Sequence, residues 1–182
     1  MAELEGQHPD ESRPDASLLE PERSYVVFCV GEAWFAVDAL ATDELAAMQP
    51  LVPVPDAPLH IAGLANVKGR ITPVLDLGRF LGLAAPSLPA ETDAGRNVFA
   101  RILVVASGRM RVGILSDRMS GLARLPAHAL SPPDAVLGRR THAFAQAQFD
   151  DPAATAGGAS RLVVVLDLPR LLEAARVHRM PA

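Results

Sequence analysis

The sequence is poor in several residue types, and each shortage excludes a class of protein. Cys29 is the only cysteine, so an internal disulfide is excluded and a reducing compartment is favoured. Aromatic residues make up 4% of the 182 residues, so a core must be built from aliphatic side chains. The formal net charge is −4, and without a basic surplus we expect no nucleic-acid partner.

Long apolar runs are also missing. No stretch approaches the roughly 20 residues of a membrane span, so direct membrane insertion is not expected. Residues 1–22 carry seven acidic side chains and one arginine, where a signal peptide has a basic region and an apolar run. We therefore expect a cytoplasmic protein, with 1–22 as an acidic, disordered tail and 23–182 as the folded domain.

The sequence shows no catalytic or cofactor motif. It has no Gly-Lys-Ser/Thr phosphate loop, no G-x-G-x-x-G and no G-x-S-x-G. The five histidines are dispersed and no second cysteine is present, so neither a metal site nor another cofactor is expected. Asp76 and Asp167 each precede a predicted short helix, which favours a role as helix N-cap over a catalytic pair. We predict that the protein is not an enzyme.

Short apolar runs separated by glycine turns are abundant and predict an all-β protein. For residues 38–48 the pattern fits either a strand or a short helical turn and does not decide between them. Residues 126–160 are predicted as mostly loop, with an edge strand near 142–149. The predicted strands are Tyr25–Val30, Trp34–Val37, Ile61–Val67, Ile71–Leu75, Arg101–Ala106, Met110–Leu115, Ser120–Leu125 and Arg161–Leu166. The predicted core includes Ile71, Val74, Leu75, Val104, Val163 and Val165.

Two segments nearly repeat each other. Arg70–Leu81 and Arg161–Leu172 are identical at seven of twelve positions, and each is predicted to run from a strand into a short helix. The shared spacing of Asp and Arg is less easily explained by chance than the Val-Leu runs alone. A repeated unit of this kind suggests two similar β subdomains, packed as two small barrels.

The string Ile61–Leu77, IAGLANVKGRITPVLDL, closely resembles the signature of the CheW-like family, approximately I-x-G-x-x-N-x-R-G-x-I-x-P-V-x-D-L. Other segments resemble further family elements in the same order: Asp43–Leu45, Val52–Pro55, Arg111–Asp117 and Arg161–Leu172. The resemblance implies an all-β fold of two intertwined small five-stranded β-barrels with short helices, including a C-terminal helix.

The resemblance also implies a function. Members of the family are adaptors that couple the cytoplasmic tip of methyl-accepting chemoreceptors to the regulatory domain of a CheA-type histidine kinase. One face would dock on the kinase and a groove between the barrels on a receptor helix, with other CheW-like proteins as further partners. The alternative is an accessory CheW-like protein that modulates or localises an array, for example in type IV pilus twitching. A small β-barrel ligand binder or enzyme is less favoured.

By motif match, the family's functional arginine and glutamate correspond to Lys68 and Glu44, and we predict either an ion pair between them or alternating contacts of the two residues with partners. Lys68 is the only lysine, and lysine lacks the planar fork with which arginine binds a carboxylate at two points. The other expected partner-binding residues are Thr42 in place of a family valine, Gly63 and Gly69 for tight backbone geometry, Asn66 as a cap of the turn, and Leu122 and Arg101 toward the receptor.

Overall fold

The computed structural model describes residues 21–83, 100–135, 137–151 and 160–176. These ranges form two five-stranded sheets and three short helices. The strands are β1 (Arg23–Val30), β2 (Ala33–Asp38), β3 (Thr42–Ala47), β4 (Ile61–Val67), β5 (Arg70–Leu75), β6 (Arg101–Ser107), β7 (Met110–Ser116), β8 (Arg118–Leu125), β9 (Ala145–Asp151) and β10 (Arg161–Leu166), and the helices are α1 (Leu77–Leu81), α2 (Arg139–Phe144) and α3 (Leu168–Ala174). The predicted acidic tail lies, up to residue 20, outside the described residues.

The two sheets exchange strands, which confirms the all-β, intertwined fold. The terminal sheet has the order β8-β1-β2-β10-β9 and the middle sheet the order β3-β6-β7-β5-β4. Hairpin β1–β2 sends the next strand, β3, into the middle sheet, and hairpin β6–β7 sends β8 into the terminal sheet. Within the described residues neither sheet closes on itself, because the two end strands of each are not paired with one another as they would be in a closed barrel.

The predicted repeat is present in the structure. β5 lies parallel to β7 and leads into α1, while β10 lies parallel to β2 and leads into α3. Asp76 Oδ1 accepts a hydrogen bond from the Arg79 amide at 2.9 Å, and Asp167 Oδ1 accepts one from the Arg170 amide at 3.0 Å. Both aspartates are therefore N-caps, as predicted, and each satisfies an amide that a helix start leaves unpaired.

Among the residues that the structure describes, the buried side chains form three clusters, which are mainly aliphatic. The largest lies between the sheets and contains Phe28 and Phe35 from one sheet and Leu103 and Ile114 from the other. A second cluster covers the other face of the terminal sheet, and a third covers the other face of the middle sheet. Alternation along each strand explains this division, since successive side chains point to opposite faces.

One core prediction is wrong: Ile71 is 69% exposed, whereas Val74, Leu75, Val104, Val163 and Val165 are buried. Ile71 is the second residue of β5 and lies opposite Asn66, next to the hairpin turn. Leu75 shares its face of the strand and is buried. The strand therefore extends past the edge of the core at its hairpin end.

Helix α2 is missing from the sequence prediction, which placed mostly loop at 126–160. Its last residue, Phe144, packs against Phe80 of α1 with ring centroids 5.1 Å apart, so a long-range contact favours the helix. The predicted edge strand is present as β9 and begins at Ala145. For residues 38–48 the sequence allowed either a strand or a helical turn. The structure has both there, a 3-10 helix at Ala39–Ala41 followed by β3. In the described ranges, no helix has the length and apolar character needed to cross a membrane.

Candidate partner-binding surfaces

The turn between β4 and β5 holds Lys68 at an exposed tip. Val67 pairs with Arg70, and the two residues between them, Lys68 and Gly69, have φ angles of +50° and +79°. Positive φ at both central residues is typical of a type I′ turn, in which glycine at the second position avoids strain. The Lys68 side chain is 79% exposed. Asn66, predicted to cap this turn, lies in β4 opposite Ile71.

The predicted ion pair between Lys68 and Glu44 is present. Lys68 Nζ lies 2.9 Å from Glu44 Oε1, so the turn of one hairpin contacts edge strand β3. The Glu44 side chain is only 15% exposed, in contrast with the lysine. The carboxylate is therefore fixed near the protein surface, while the ammonium group reaches solvent.

Arg111 on β7 is a second cation at this carboxylate, and sequence reasoning missed it. Its Nη2 lies 3.8 Å from Glu44 Oε2 and its Nε 3.3 Å from Asp43 Oδ2. Its Nη1 also donates to Thr72 Oγ1 on β5. Arg111 and Asp43 are 68 residues apart in the sequence, so only the strand order of the folded sheet reveals the contact.

Gly63 allows a loop to pack tightly on β4. The Val52 amide donates to Leu64 O and the Leu64 amide to Val52 O, both at 2.8 Å, directly beside Gly63. Gly63 has φ +147°, and a Cβ atom there would lie 2.7 Å from Val52 O. The position therefore accepts only glycine without displacing the loop.

A groove runs between edge strands β3 and β8. A concave site of about 400 Å³ is lined by Leu45, Arg101, Arg118 and Met119. Leu45 lies opposite Leu103 and Met119 opposite Phe28, and both of those partners belong to the core between the sheets. Since residues paired across a ladder point to the same face, the groove is the outward continuation of that core.

Leu122 lies on β8, three residues beyond Met119 of the groove. It lies opposite Val26, which packs against the core between the sheets, and it is 64% exposed. The structure therefore brings the predicted residues Arg101 and Leu122 to the same side of the molecule. Thr42 begins β3, and its hydroxyl donates to Asp38 O at 3.4 Å.

A second apolar surface lies at the opposite edge of the middle sheet. It contains Val52, which is 64% exposed, and Ile71, which is 69% exposed, with Leu64 between them and Pro50 beside them. Sequence reasoning missed this surface because it assigned Ile71 to the core. We call it the Val52–Ile71 surface.

Asp117 and Cys29 brace the turn between β1 and β2. Asp117 Oδ2 accepts from the Gly31 amide at 2.6 Å, and the Cys29 thiol donates to Gly31 O at 3.0 Å. Burial raises the pKa of Cys29 and also the pKa of Asp117. A raised pKa keeps the thiol protonated at neutral pH, so Cys29 is a poor nucleophile.

The raised pKa of Asp117 predicts a pH effect on stability. The folded state favours the protonated carboxyl, so the stability that it contributes is fully present below the ordinary pKa of 3.8 and is lost as pH rises through the folded-state pKa. Asp117→Asn keeps an acceptor for the Gly31 amide but does not ionise. We therefore expect the free energy of unfolding of this variant, minus that of the wild type, to increase as pH rises from about 4 to 7. Urea denaturation across this range measures the difference.

The exposed Asp150 on β9 provides a control for this measurement. Asp150→Asn should leave the dependence of the unfolding free energy on pH the same as in the wild type. The prediction is contradicted if the unfolding free energies of Asp117→Asn and of the wild type differ by the same amount at every pH in this range.

The geometry of these surfaces suits binding. Within the described residues, no group of three or more His, Cys, Asp or Glu side chains is arranged to hold a metal ion. The groove and the Val52–Ile71 surface are open and largely apolar, and the charged residues at the groove are arginines. Such surfaces accept apolar side chains from another protein.

Comparison with known proteins gives consistent matches. The family model for the CheW-like domain matches residues 24–176. Protein FrzA of Myxococcus xanthus is 29% identical over 167 residues, which cover 90% of this chain and 95% of that protein. The chemotaxis protein CheW of Rhizobium meliloti (strain 1021) is 27% identical over 130 residues, covering 71% of this chain and 78% of that protein.

A solved structure has the same fold. The crystal structure of the scaffolding protein TtCheW from Thermoanaerobacter tengcongensis superposes with a TM-score of 0.67. The match covers 84% of this chain and 94% of that chain, at 21% sequence identity. The two exchanged five-stranded sheets are therefore an arrangement already known in a solved protein.

Proposed function

The chain belongs to the CheW-like domain family, and from this membership we propose that it is a non-catalytic, cytoplasmic adaptor in a chemosensory array. It couples the cytoplasmic tip of methyl-accepting chemoreceptors to the regulatory domain of a CheA-type histidine kinase. One observation carries the proposal: the middle sheet has a separate candidate binding surface at each of its two edges. An adaptor needs two such surfaces in order to hold both partners at once.

The groove between β3 and β8 suits the receptor. The cytoplasmic tip of a receptor is a helical hairpin, and an amphipathic helix binds by laying its apolar face in an apolar groove. Leu45, Met119 and Leu122 supply the apolar contacts. Arg101 and Arg118 lie at the same groove and favour a helix that carries acidic residues beside its apolar face.

The Val52–Ile71 surface suits the kinase domain. Strand β4 is the edge strand of the middle sheet opposite to β3, and the residues that line this surface are all different from those that line the groove. A receptor helix and a folded kinase domain would therefore contact different residues of the adaptor. Modest affinity at each surface suffices in an array, because many linked contacts act together.

Reconstitution tests the proposal. Vesicles containing a receptor and the CheA-type kinase of the same organism should show low kinase autophosphorylation, which rises when the chain is added. Ile71→Asp should abolish this rise and the binding of the kinase regulatory domain but retain receptor binding. Failure of the wild-type chain to bind either partner contradicts the proposal.

A second candidate function is that of an accessory module which modulates or localises an array. The observation that favours it is Lys68 at the position where the family signature has arginine, together with Thr42 in place of valine. The same assay separates the two functions when a standard CheW protein is also present. An accessory module would lower kinase activation as its concentration rises, whereas a coupling adaptor would maintain it.

A further inference from the structure

Strand β8 carries a β-bulge beside the groove. Met119 of β8 lies opposite Phe28 of β1, whereas the neighbour of Phe28, Val27, lies opposite Gly121. Ser120 is therefore an extra residue on β8, which the ladder between the two strands skips. The alternation of side chains along β8 changes phase at this point.

The bulge determines which side chains of β8 reach the groove side. In a regular strand, residues three apart, such as Met119 and Leu122, point to opposite faces. Here Met119 packs against the core between the sheets, and Leu122 lies opposite Val26, which packs against the same core. Ala123 and Leu125 pack on the other face of the sheet, against the second cluster. Both Met119 and Leu122 face the groove side only because the extra residue lies between them.

Arg161, the first residue of β10, holds the bulge. Its Nη2 donates to Ser120 Oγ and also, at 2.6 Å, to Asp151 Oδ2 on β9. Its Nε donates to the same carboxylate oxygen at 3.1 Å, and both side chains of this ion pair are largely buried. Since β8 and β9 are the two edge strands of the terminal sheet, the guanidinium group of Arg161 links one edge to the other.

Trp34, the only tryptophan, supports this guanidinium group. Arg161 Cζ lies 3.6 Å from the centroid of the indole ring, which is a stacking distance. Arg118 Cζ lies 5.6 Å from the same centroid, so the residues on both sides of Met119 are tied to one aromatic ring. Trp34 packs against the second cluster, on the face of the terminal sheet away from the core between the sheets. Arg161 therefore acts on β8 from behind the groove.

We propose that Arg161 is a positioning residue of the receptor site, which fixes the bulge at Ser120 and so keeps Met119 and Leu122 on the groove side together. The inference rests on the proposed adaptor function. An edge strand is paired on one side only, and a bulge located outside 119–122 would leave the two apolar side chains on opposite faces. Affinity for a receptor helix would then fall with the fraction of molecules that have the correct register.

The test compares Ser120→Val with Ser120→Thr in the full-length chain. Both variants introduce β-branched side chains of similar size, but only threonine keeps the hydroxyl that accepts from Arg161. We expect Ser120→Val to bind a soluble receptor hairpin fragment about fivefold more weakly than wild type, and Ser120→Thr to stay within about twofold. Calorimetric titration measures both affinities. Binding of the kinase regulatory domain at the Val52–Ile71 surface should be unchanged, which a general loss of folding would not allow.

Arg161→Lys provides a second, independent variant. Lysine keeps the charge but lacks the fork that contacts Asp151 and Ser120 together, so we expect receptor binding to weaken about fivefold here as well. Adding Ser120→Val to this variant should cause no further loss, because both substitutions remove the same contact.

Three results overturn the positioning role but leave the adaptor function intact: wild-type receptor affinity for Ser120→Val, equal losses for the valine and threonine variants, or additive losses in the double variant. Loss of kinase binding together with receptor binding in Ser120→Val also overturns it, because the effect would then not be confined to the groove. No receptor binding by the wild-type chain contradicts the adaptor function itself.

Discussion

Replacement of Gly63 by alanine should lower the free energy of unfolding by about 4 kcal/mol. Two causes add together. The φ angle of +147° belongs to a region that glycine alone adopts easily. In addition, the new Cβ would lie 2.7 Å from Val52 O and 3.2 Å from Leu51 Cβ, so the loop must move away from β4.

Gly121 provides a matched control for this prediction. It has a φ angle of +122°, but a Cβ atom there would meet nothing within 4 Å. Gly121→Ala should therefore lose only the stability that corresponds to the unfavourable φ angle, about 2 kcal/mol. Urea denaturation of both variants measures the difference, and equal losses at the two positions contradict a steric role for Val52.

The same substitution connects stability with binding. Displacement of the loop breaks the two hydrogen bonds between Val52 and Leu64, and Val52 belongs to the proposed kinase surface. We therefore infer that a glycine at position 63 serves the partner surface by fixing the loop that forms it. This explains in physical terms why a glycine stands inside a strand, where it is otherwise unfavourable.

Features with a local signal were predictable from the sequence. The caps at Asp76 and Asp167 follow from an aspartate just before a short helical pattern, and the turn at Lys68 and Gly69 from a glycine between two apolar runs. The repeat followed from direct comparison of two segments. The exchange of strands between sheets entered only through the resemblance to a family, because no local pattern encodes which sheet a strand joins.

Features that depend on distant contacts were not predictable. Arg111 appeared only as the first residue of a segment that resembles a family element, since its contacts with Asp43 and Glu44 require β3 and β7 to flank β6 in the folded sheet. Leu45 appeared only as part of a motif, and its place in the groove depends on the approach of β8. Ile71 was assigned to the core because an apolar residue in a strand is usually buried. In the structure, the hairpin end of β5 extends beyond the edge of the core, so Ile71 is exposed.

Replacement of Leu122 by aspartate should weaken receptor binding by about 30-fold, equivalent to about 2 kcal/mol, because it places a charge where an apolar helix face must pack. The same change should abolish receptor-dependent activation of the kinase. Leu122 is 64% exposed in the free protein, so the free energy of unfolding should change by no more than about 0.5 kcal/mol. Binding of the kinase regulatory domain at the Val52–Ile71 surface should be unaffected.

Leu40→Asp is the matched control, because Leu40 is even more exposed, at 96%, and lies in the 3-10 helix Ala39–Ala41, on neither of the two strands that border the groove. It should retain both receptor binding and kinase activation. Titration with a receptor hairpin fragment and the reconstituted kinase assay measure the two effects separately. Wild-type receptor affinity for Leu122→Asp, or an equal loss for Leu40→Asp, would exclude the groove as the receptor site. We expect Leu122→Asp to lose receptor binding but keep kinase binding, and Ile71→Asp to do the reverse. This pair of results requires two independent surfaces, which is the physical condition for an adaptor.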